Sequence, residues 1–213
     1  MVFLDDDFVP APQFLDAVER LHVGSPEVAL ATGEVLSDGI HGPGLNFSDA
    51  DRIIEDDAKQ WRPSPTPIEV RNGYGCNMSV RLSALRPLRL RFDEYLPLYA
   101  WLEDVDFGVR VSRYGTVVKS SAMRGVHLGV KIGRQSGRRL GYSQIANPVY
   151  LINKGSLGLA RALYLMSRNI AANFAGLLRA EPWIDRRGRL AGNLIAFRHL
   201  FRGRLDPRRA LEL

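Results

Sequence analysis

The chain has 213 residues, 46% hydrophobic and 24% charged, a composition that excludes wholesale disorder and suffices for one or two domains with a real core. One cysteine, Cys76, excludes an intrachain disulfide and a cysteine-built zinc site, and fits a reducing, cytosolic setting. The net charge of +6 is uneven: residues 154–213 hold 12 Lys/Arg against 4 Asp/Glu, while residues 1–153 hold 17 against 19. The basic tail therefore suits an anionic partner.

No run of about 18 apolar residues predicts a transmembrane helix, and the acidic N-terminal stretch is unlike a signal peptide. Val2–Leu4 reads as a buried strand ending in Asp5-Asp6-Asp7. Pro10 and Pro12 open a helix on which Phe14, Leu15, Val18 and Leu21 recur at helical spacing. Val28–Val35 is a second strand, and 37–47 reads as a Gly/Asp/Asn/Pro loop. A helix over Ser48–Trp61 takes Ser48 as its N-cap. Pro63, Pro65 and Pro67 make a stiff connector to a short strand at Ile68–Val70. The segment RNGYGCNMSVR at 71–81 reads as a close-approach loop followed by a strand or helix start. Trp101–Tyr114 is predicted helical and closed by Gly115. A strand over Thr116–Ser120 leads to His127, and 129–143, rich in glycine and basic residues, reads as a mobile loop.

Beyond Asn147 the chain turns helical. At about 100° per residue, Arg161, Arg168 and Arg179 cluster on one side of a helix, opposite Leu163, Met166, Ile170, Phe174 and Leu177; Leu165 breaks the pattern. A second helix, Leu190–Phe201, follows the polar turn Asp185–Arg189.

Three features carry chemistry. Asp5 and Asp7 stand two apart, which on an extended backbone points both carboxylates the same way. Like charges held together at a strand end call for a hard divalent cation; the plainer reading is a solvated acidic turn. The acids in WLEDVDF at 101–107 begin a helix, where they either complement its dipole or supply a general base. His127 either packs as an ordinary imidazole or completes a metal site.

The order of these segments is more specific than any one of them. LDDDFVP, GCNMSVR, RFDEYL and LEDVDFGVRVSRYG, then His127, together resemble the family-2 glycosyltransferases of the GT-A fold, over roughly residues 2–130. The resemblance implies an α/β fold: an incomplete GT-A mixed sheet flanked by helices, residues 1–150, whose first βαβ units are missing, followed by a basic, amphipathic helical tail, 151–213. It implies that Asp7 ligates Mn²⁺ or Mg²⁺, that Asp5 contacts the ribose or the metal, and that His127 adds a ligand. Asp104 takes the role of catalytic base, with Glu103 beside it. Asp106 and Arg110 become structural helix residues, with a salt bridge as the plain reading, and Asp93 and Glu94 fix a turn near the acceptor.

Lys131, Arg134, Arg138 and Arg139 are then candidates for closing over the donor diphosphate. Trp101, with Tyr99 near it, and Asn77 are candidates for meeting the acceptor, although core packing is the plain role for the aromatics. The implied activity moves a sugar from a nucleotide-diphosphate donor to a hydroxyl of a glycan or lipid-linked acceptor, with inversion, as in exopolysaccharide or lipid-linked glycan synthesis. The chain lacks most of a nucleotide pocket on this reading, so weak donor binding and little or no activity of the isolated chain are expected. Cytoplasmic placement follows, peripheral on the anionic membrane face, with no nucleic acid partner. A non-catalytic basic module binding an anionic membrane or RNA, and a metal-dependent phosphohydrolase, are the competing readings.

Overall fold

The computed structural model describes residues 1–62, 64, 66–85, 90–130, 136–178 and 181–213, without the side chains of His41 and Ala84. It is α/β, with a mixed sheet flanked by helices. Two compact units share the chain: Met1–Arg91 with Phe107–Ile132, and Phe92–Asp106 with Gly133–Leu213.

The first unit holds the sheet. Its strands are β1 (Val2–Leu4), β2 (Phe8–Pro10), β3 (Val28–Asp38), β4 (Ile68–Glu69), β5 (Asn77–Val80) and β6 (Thr116–His127). The order is β1-β5-β3-β6-β2, and β4 pairs with β6 off that path. β3 and β6 run parallel, whereas β5 is antiparallel to both β1 and β3, so β1, β3 and β6 all point one way. The consecutive strands β1 and β2 thus sit on opposite edges, and Asp5-Asp6-Asp7 is the link between them.

Helix α1 (Phe14–Gly24) buries Phe14, Ala17 and Val18 against Val28, Ala31, Val118 and Met123. The rings of Phe8 and Phe14 meet edge to face at 5.8 Å, a geometry that adds to their area burial. Helix α2 (Phe47–Gln60) starts earlier than the sequence suggests. Asn46, not Ser48, is its N-cap, in a reciprocal capping box with Asp49. Ala50, Ile53 and Ile54 pack with Val126 and Leu128. Arg124, 4% exposed, pairs with Asp57 and lies 3.9 Å from the Trp61 ring centroid. α3 is the short helix Leu82–Leu85.

β6 runs unbroken to His127, well past the strand expected at 116–120. Its pairing with β3 shifts register at Gly33/Glu34 and again at Val35/Ser37, irregularities that keep two long strands together through the polar run Lys119–Ser121. Phe8–Pro10 was not anticipated as a strand; Pro10 is tolerated there because β2 is an edge.

Helix α4 (Glu103–Val111) contains the division between the units, after Asp106. It starts at Glu103 rather than Trp101. The second unit is otherwise built from α5 (Gly137–Lys154), α6 (Leu159–Ala175) and α7 (Arg186–Phe201). The sequence division at 150 does not coincide with this one, because α5 packs along α7. Residues 137–143, expected to be loop, are the first turns of α5. A glycine on each helix marks the close approach of α5 and α7: a Cβ at Gly141 would stand 2.0 Å from the Arg189 oxygen, and one at Gly192 2.0 Å from the Arg138 oxygen. Buried amides join the three helices, with Asn173 Nδ2 donating to Gln144 (2.9 Å) and Asn193 Nδ2 to the Gly141 carbonyl (2.6 Å). Asp185 caps α7 through the Gly188 N–H.

Asp106, wholly buried, pairs with Lys154 at 2.8 Å and accepts the Ser156 hydroxyl. Lys154 also pairs with Asp93, which accepts from Tyr150 (2.8 Å) and from the Tyr95 N–H (3.0 Å). Burial alone would raise the Asp93 carboxyl, but Lys154, the Tyr95 N–H and the Tyr150 hydroxyl outweigh it and hold it below its ordinary value. Lys154→Met leaves Asp106 buried without its cation and is expected to cost roughly 3 kcal/mol or more in urea unfolding. Because the folded carboxyl of Asp93 titrates low, its stabilisation is full above the ordinary carboxylate range, about pH 4, and is lost as pH falls below it. Unfolding curves stepped down from pH 6 should show that loss, and Asp93→Asn should flatten it.

Candidate metal centre

The acidic link is a tight turn rather than extended chain. The Phe8 N–H donates to the Asp5 carbonyl at 3.1 Å and the Asp5 N–H to the Cys76 carbonyl at 3.2 Å. This turn, not strand alternation, aims Asp5 and Asp7 at a common point. β6 ends beside it: Phe8 is the register partner of His127, and the Leu128 N–H donates to the Asp7 carbonyl at 2.8 Å. One ligand atom each from Asp5, Asp7 and His127 lies within 4.8 Å of the others. The group sits beyond the carboxyl ends of β1, β3 and β6, where α/β sheets bind ligands.

Each member has a distinct setting. Asp7 receives the Val130 N–H on Oδ2 at 2.8 Å, while its Oδ1 lies 3.2 Å from His127 Nε2. His127, 8% exposed at its side chain, offers Nδ1 to Asp38 Oδ1 at 2.9 Å. Asp38 terminates β3 and is itself held by the Ile40 N–H (3.1 Å) and the Tyr74 hydroxyl (2.9 Å). Burial would raise the Asp38 carboxyl, yet the Ile40 N–H, Tyr74 and His127 together keep it low. Such a carboxylate favours a proton on Nδ1, which would leave Nε2 for a cation beside Asp7, the outer-shell arrangement of metal-bound histidines. Asp5 is raised from its ordinary value, first by loss of water and then by Asp7 and Asp6, against the lowering effect of His127. A cation would relieve that repulsion. The two carboxylates suit Mn²⁺ or Mg²⁺ by donor type, and the imidazole favours Mn²⁺ of the two. Cys76, whose carbonyl accepts the Asp5 N–H, is not among these grouped ligand atoms; burial, with the charges of Asp5, Asp38 and Asp7, pushes its thiol up.

Asp38 and Tyr74 were not singled out from the sequence. Nothing in their spacing from residue 127 links them; the one signal was an acid closing an apolar strand. Of the other candidates, Asn77 is fully buried, and its Oδ1 accepts from the Thr32 hydroxyl (2.7 Å) and the Gly33 N–H (3.0 Å). It therefore ties β5 to β3 and offers no surface to an acceptor. Lys131 and Arg134 lie outside the described residues. Arg138 is exposed in the first turn of α5, and Arg139 Nε donates to the Leu213 oxygen at 2.7 Å.

Glu103 and Asp104 open α4 in the second unit, where Asp104 accepts the Val105 N–H at 2.8 Å. The chain just before them is strained: Leu98, Ala100 and Leu102 have φ of 64°, 45° and 74°. Non-glycine residues there are costly and concentrate at functional sites. Trp101 is half-buried against the Leu96, Leu102, Val105 and Leu151 cluster, and its carbonyl accepts from Asn147 at 2.9 Å. Its contacts are those of core packing. A separate concavity, lined by Glu27, Glu69, Arg71, Tyr114 and Thr116, lies at the amino ends of β3 and β6, the far end of the strands from the acidic turn.

No family model, curated protein or solved structure matches this chain.

The close approach of β3 and β6 at the site depends on glycine. Gly129 has φ 63°, and a Cβ there would lie 2.3 Å from the Gly39 carbonyl carbon. Gly129→Ala is expected to destabilise the protein by about 2 kcal/mol or more in urea titration. The amide resonance of Val130, hydrogen-bonded to Asp7, should shift in the same variant.

Proposed function

We propose that the chain is the catalytic-core part of a metal-dependent, inverting glycosyltransferase of GT-A type. The observation that carries this reading is the convergence of Asp5, Asp7 and His127 beyond the carboxyl ends of like-directed strands. That is the place and the donor set which the resemblance to family-2 glycosyltransferases implies for Mn²⁺ or Mg²⁺ on a donor diphosphate. When bound, the ion neutralises charge developing on the departing phosphate.

The side chains divide the remaining work. Asp7 and His127 hold the ion, with Asp5 as third ligand or ribose contact. Asp38, backed by Tyr74 and the Ile40 N–H, fixes the His127 ring so that Nε2 stays available. Asp104 is the proposed base: it takes the proton of the acceptor hydroxyl as that oxygen bonds to the anomeric carbon. The bond from that carbon to the phosphate oxygen breaks, and its electron pair leaves with the nucleoside diphosphate. Attack opposite to the leaving group inverts the centre. The strained Leu98–Leu102 approach to Asp104 supports a functional role for this helix start.

Two measurements test the proposal. In calorimetric titration with Mn²⁺, Asp7→Ala and His127→Ala should abolish binding, and Asp38→Ala should weaken it roughly 10- to 100-fold. Unchanged affinity in all three would remove the metal from the account. In a screen of nucleotide-sugar donors with glycan and lipid-linked acceptors at high donor concentration, to offset the weak donor binding expected, release of nucleoside diphosphate should be low and should require Mn²⁺ or Mg²⁺. Asp104→Asn should lower that turnover at least about 100-fold and leave Mn²⁺ affinity intact. Full turnover in Asp104→Asn would refute its role as base.

A further inference from the structure

We infer that α6 is a lipid-contacting helix, whose exposed apolar strip seats in the interfacial layer of an anionic membrane while its arginines meet the lipid phosphates. The inference rests on the second unit alone and is independent of the sugar-transfer reading.

The inward side of α6 is Ala162, Met166 and Asn173. The sequence pattern placed Leu163, Phe174 and Leu177 on that apolar side as well, but they are not covered. Leu159, Leu163 and Phe174 are 61%, 53% and 59% exposed, and Leu177 and Leu178, in the following turn, are 44% and 91% exposed. At about 100° per residue, Leu159, Leu163 and Phe174 fall on one side of the helix, with Ile170 between them half-buried against the Tyr142 and Ile145 core. Large apolar side chains exposed together at both ends of one side of a helix mark a contact surface, which scattered single residues would not.

Charge identifies the occupant. Neither α6 nor α7 contains a single Asp or Glu, whereas α6 carries Arg161 and Arg168 and α7 carries Arg186, Arg187, Arg189 and Arg198. Arg161 and Arg168 are exposed on the flank of α6 away from its inward side. Between the strip and these arginines lies Tyr164, 61% exposed, with the Arg168 guanidinium 6.0 Å from its ring centroid. The lateral sequence is thus aliphatic, then tyrosine, then arginine, the profile of a helix lying at a lipid–water interface. α7 repeats the composition on its exposed ridge of Arg187, Leu194, Arg198 and Phe201. A second copy of α6 would bring arginines against arginines, and RNA would satisfy the arginines while leaving the leucines wet. An anionic bilayer satisfies both. No helix among the described residues is long and apolar enough to cross a membrane, so the contact is one of lying on the surface.

The test is flotation of the full chain with vesicles of phosphatidylcholine, with and without phosphatidylglycerol. Binding should be at least roughly tenfold stronger with the anionic lipid and should fall as salt rises. Leu163→Gln with Phe174→Gln, both exposed and so compatible with the fold, should lower it by roughly tenfold or more with an unchanged circular dichroism spectrum. Arg161→Gln with Arg168→Gln should weaken binding to the anionic vesicles only. The inference is overturned by absence of flotation with phosphatidylglycerol, or by full flotation of the Leu163/Phe174 variant. It is equally overturned by a dimer that this variant converts to monomer, which would assign the strip to a second copy, or by retention of RNA in place of vesicles.

Discussion

The carboxylates of Asp5 and Asp7 are held beside one imidazole by backbone they cannot escape. The turn from β1 to β2 is tied at both sides, by the Asp5 N–H to Cys76 and by the Leu128 N–H to Asp7. Strand pairing then fixes His127 opposite Phe8. Loss of water first, and the charges of Asp7 and Asp6 after it, raise the carboxyl of Asp5 there, against the lowering effect of His127. Groups that repel one another and lose water on folding persist in native proteins when a ligand relieves them. The sheet order, the long β6 and the glycine contact between Gly39 and Gly129 all serve to keep these groups together.

Much of this was legible in the chain. The acidic triplet after Val2–Leu4, the apolar spacing of α1, the body of β3 and the existence of α2 follow from periodicity. The helix starting at the acids 103–106 follows from dipole preference. What escaped did so for physical reasons. Glycines at 137 and 141 read as loop, yet they let α5 and α7 come within backbone contact. The polar run in the middle of β6 hid a strand, because pairing on both sides, with β3 and with the edges β2 and β4, supports it where composition does not. The N-cap of α2 was misassigned although Asn46 and Asp49 carried the capping pattern.

The site was half legible. Asp5, Asp7 and His127 could be named, but Asp38 and Tyr74 could not. They touch the imidazole, and only the parallel pairing of β3 with β6 sets Asp38 opposite His127. Asn77 shows the converse. A residue whose type and place suggested recognition is spent on joining two strands. The C-terminal arginine pattern was likewise visible, but its apolar side divides into a buried part at Met166 and an uncovered part at Leu163 and Phe174, a distinction that only packing makes.

The central claim is a divalent cation held by the β1–β2 turn and the end of β6. Crystals grown with Mn²⁺ test it most directly, through the anomalous scattering of the ion. The account predicts one peak bonded to Asp7 and to Nε2 of His127, adjacent to Asp5, with Asp38 retained on Nδ1. An anomalous map with no peak among these three residues at saturating Mn²⁺, or one showing the ion bound elsewhere, would contradict it.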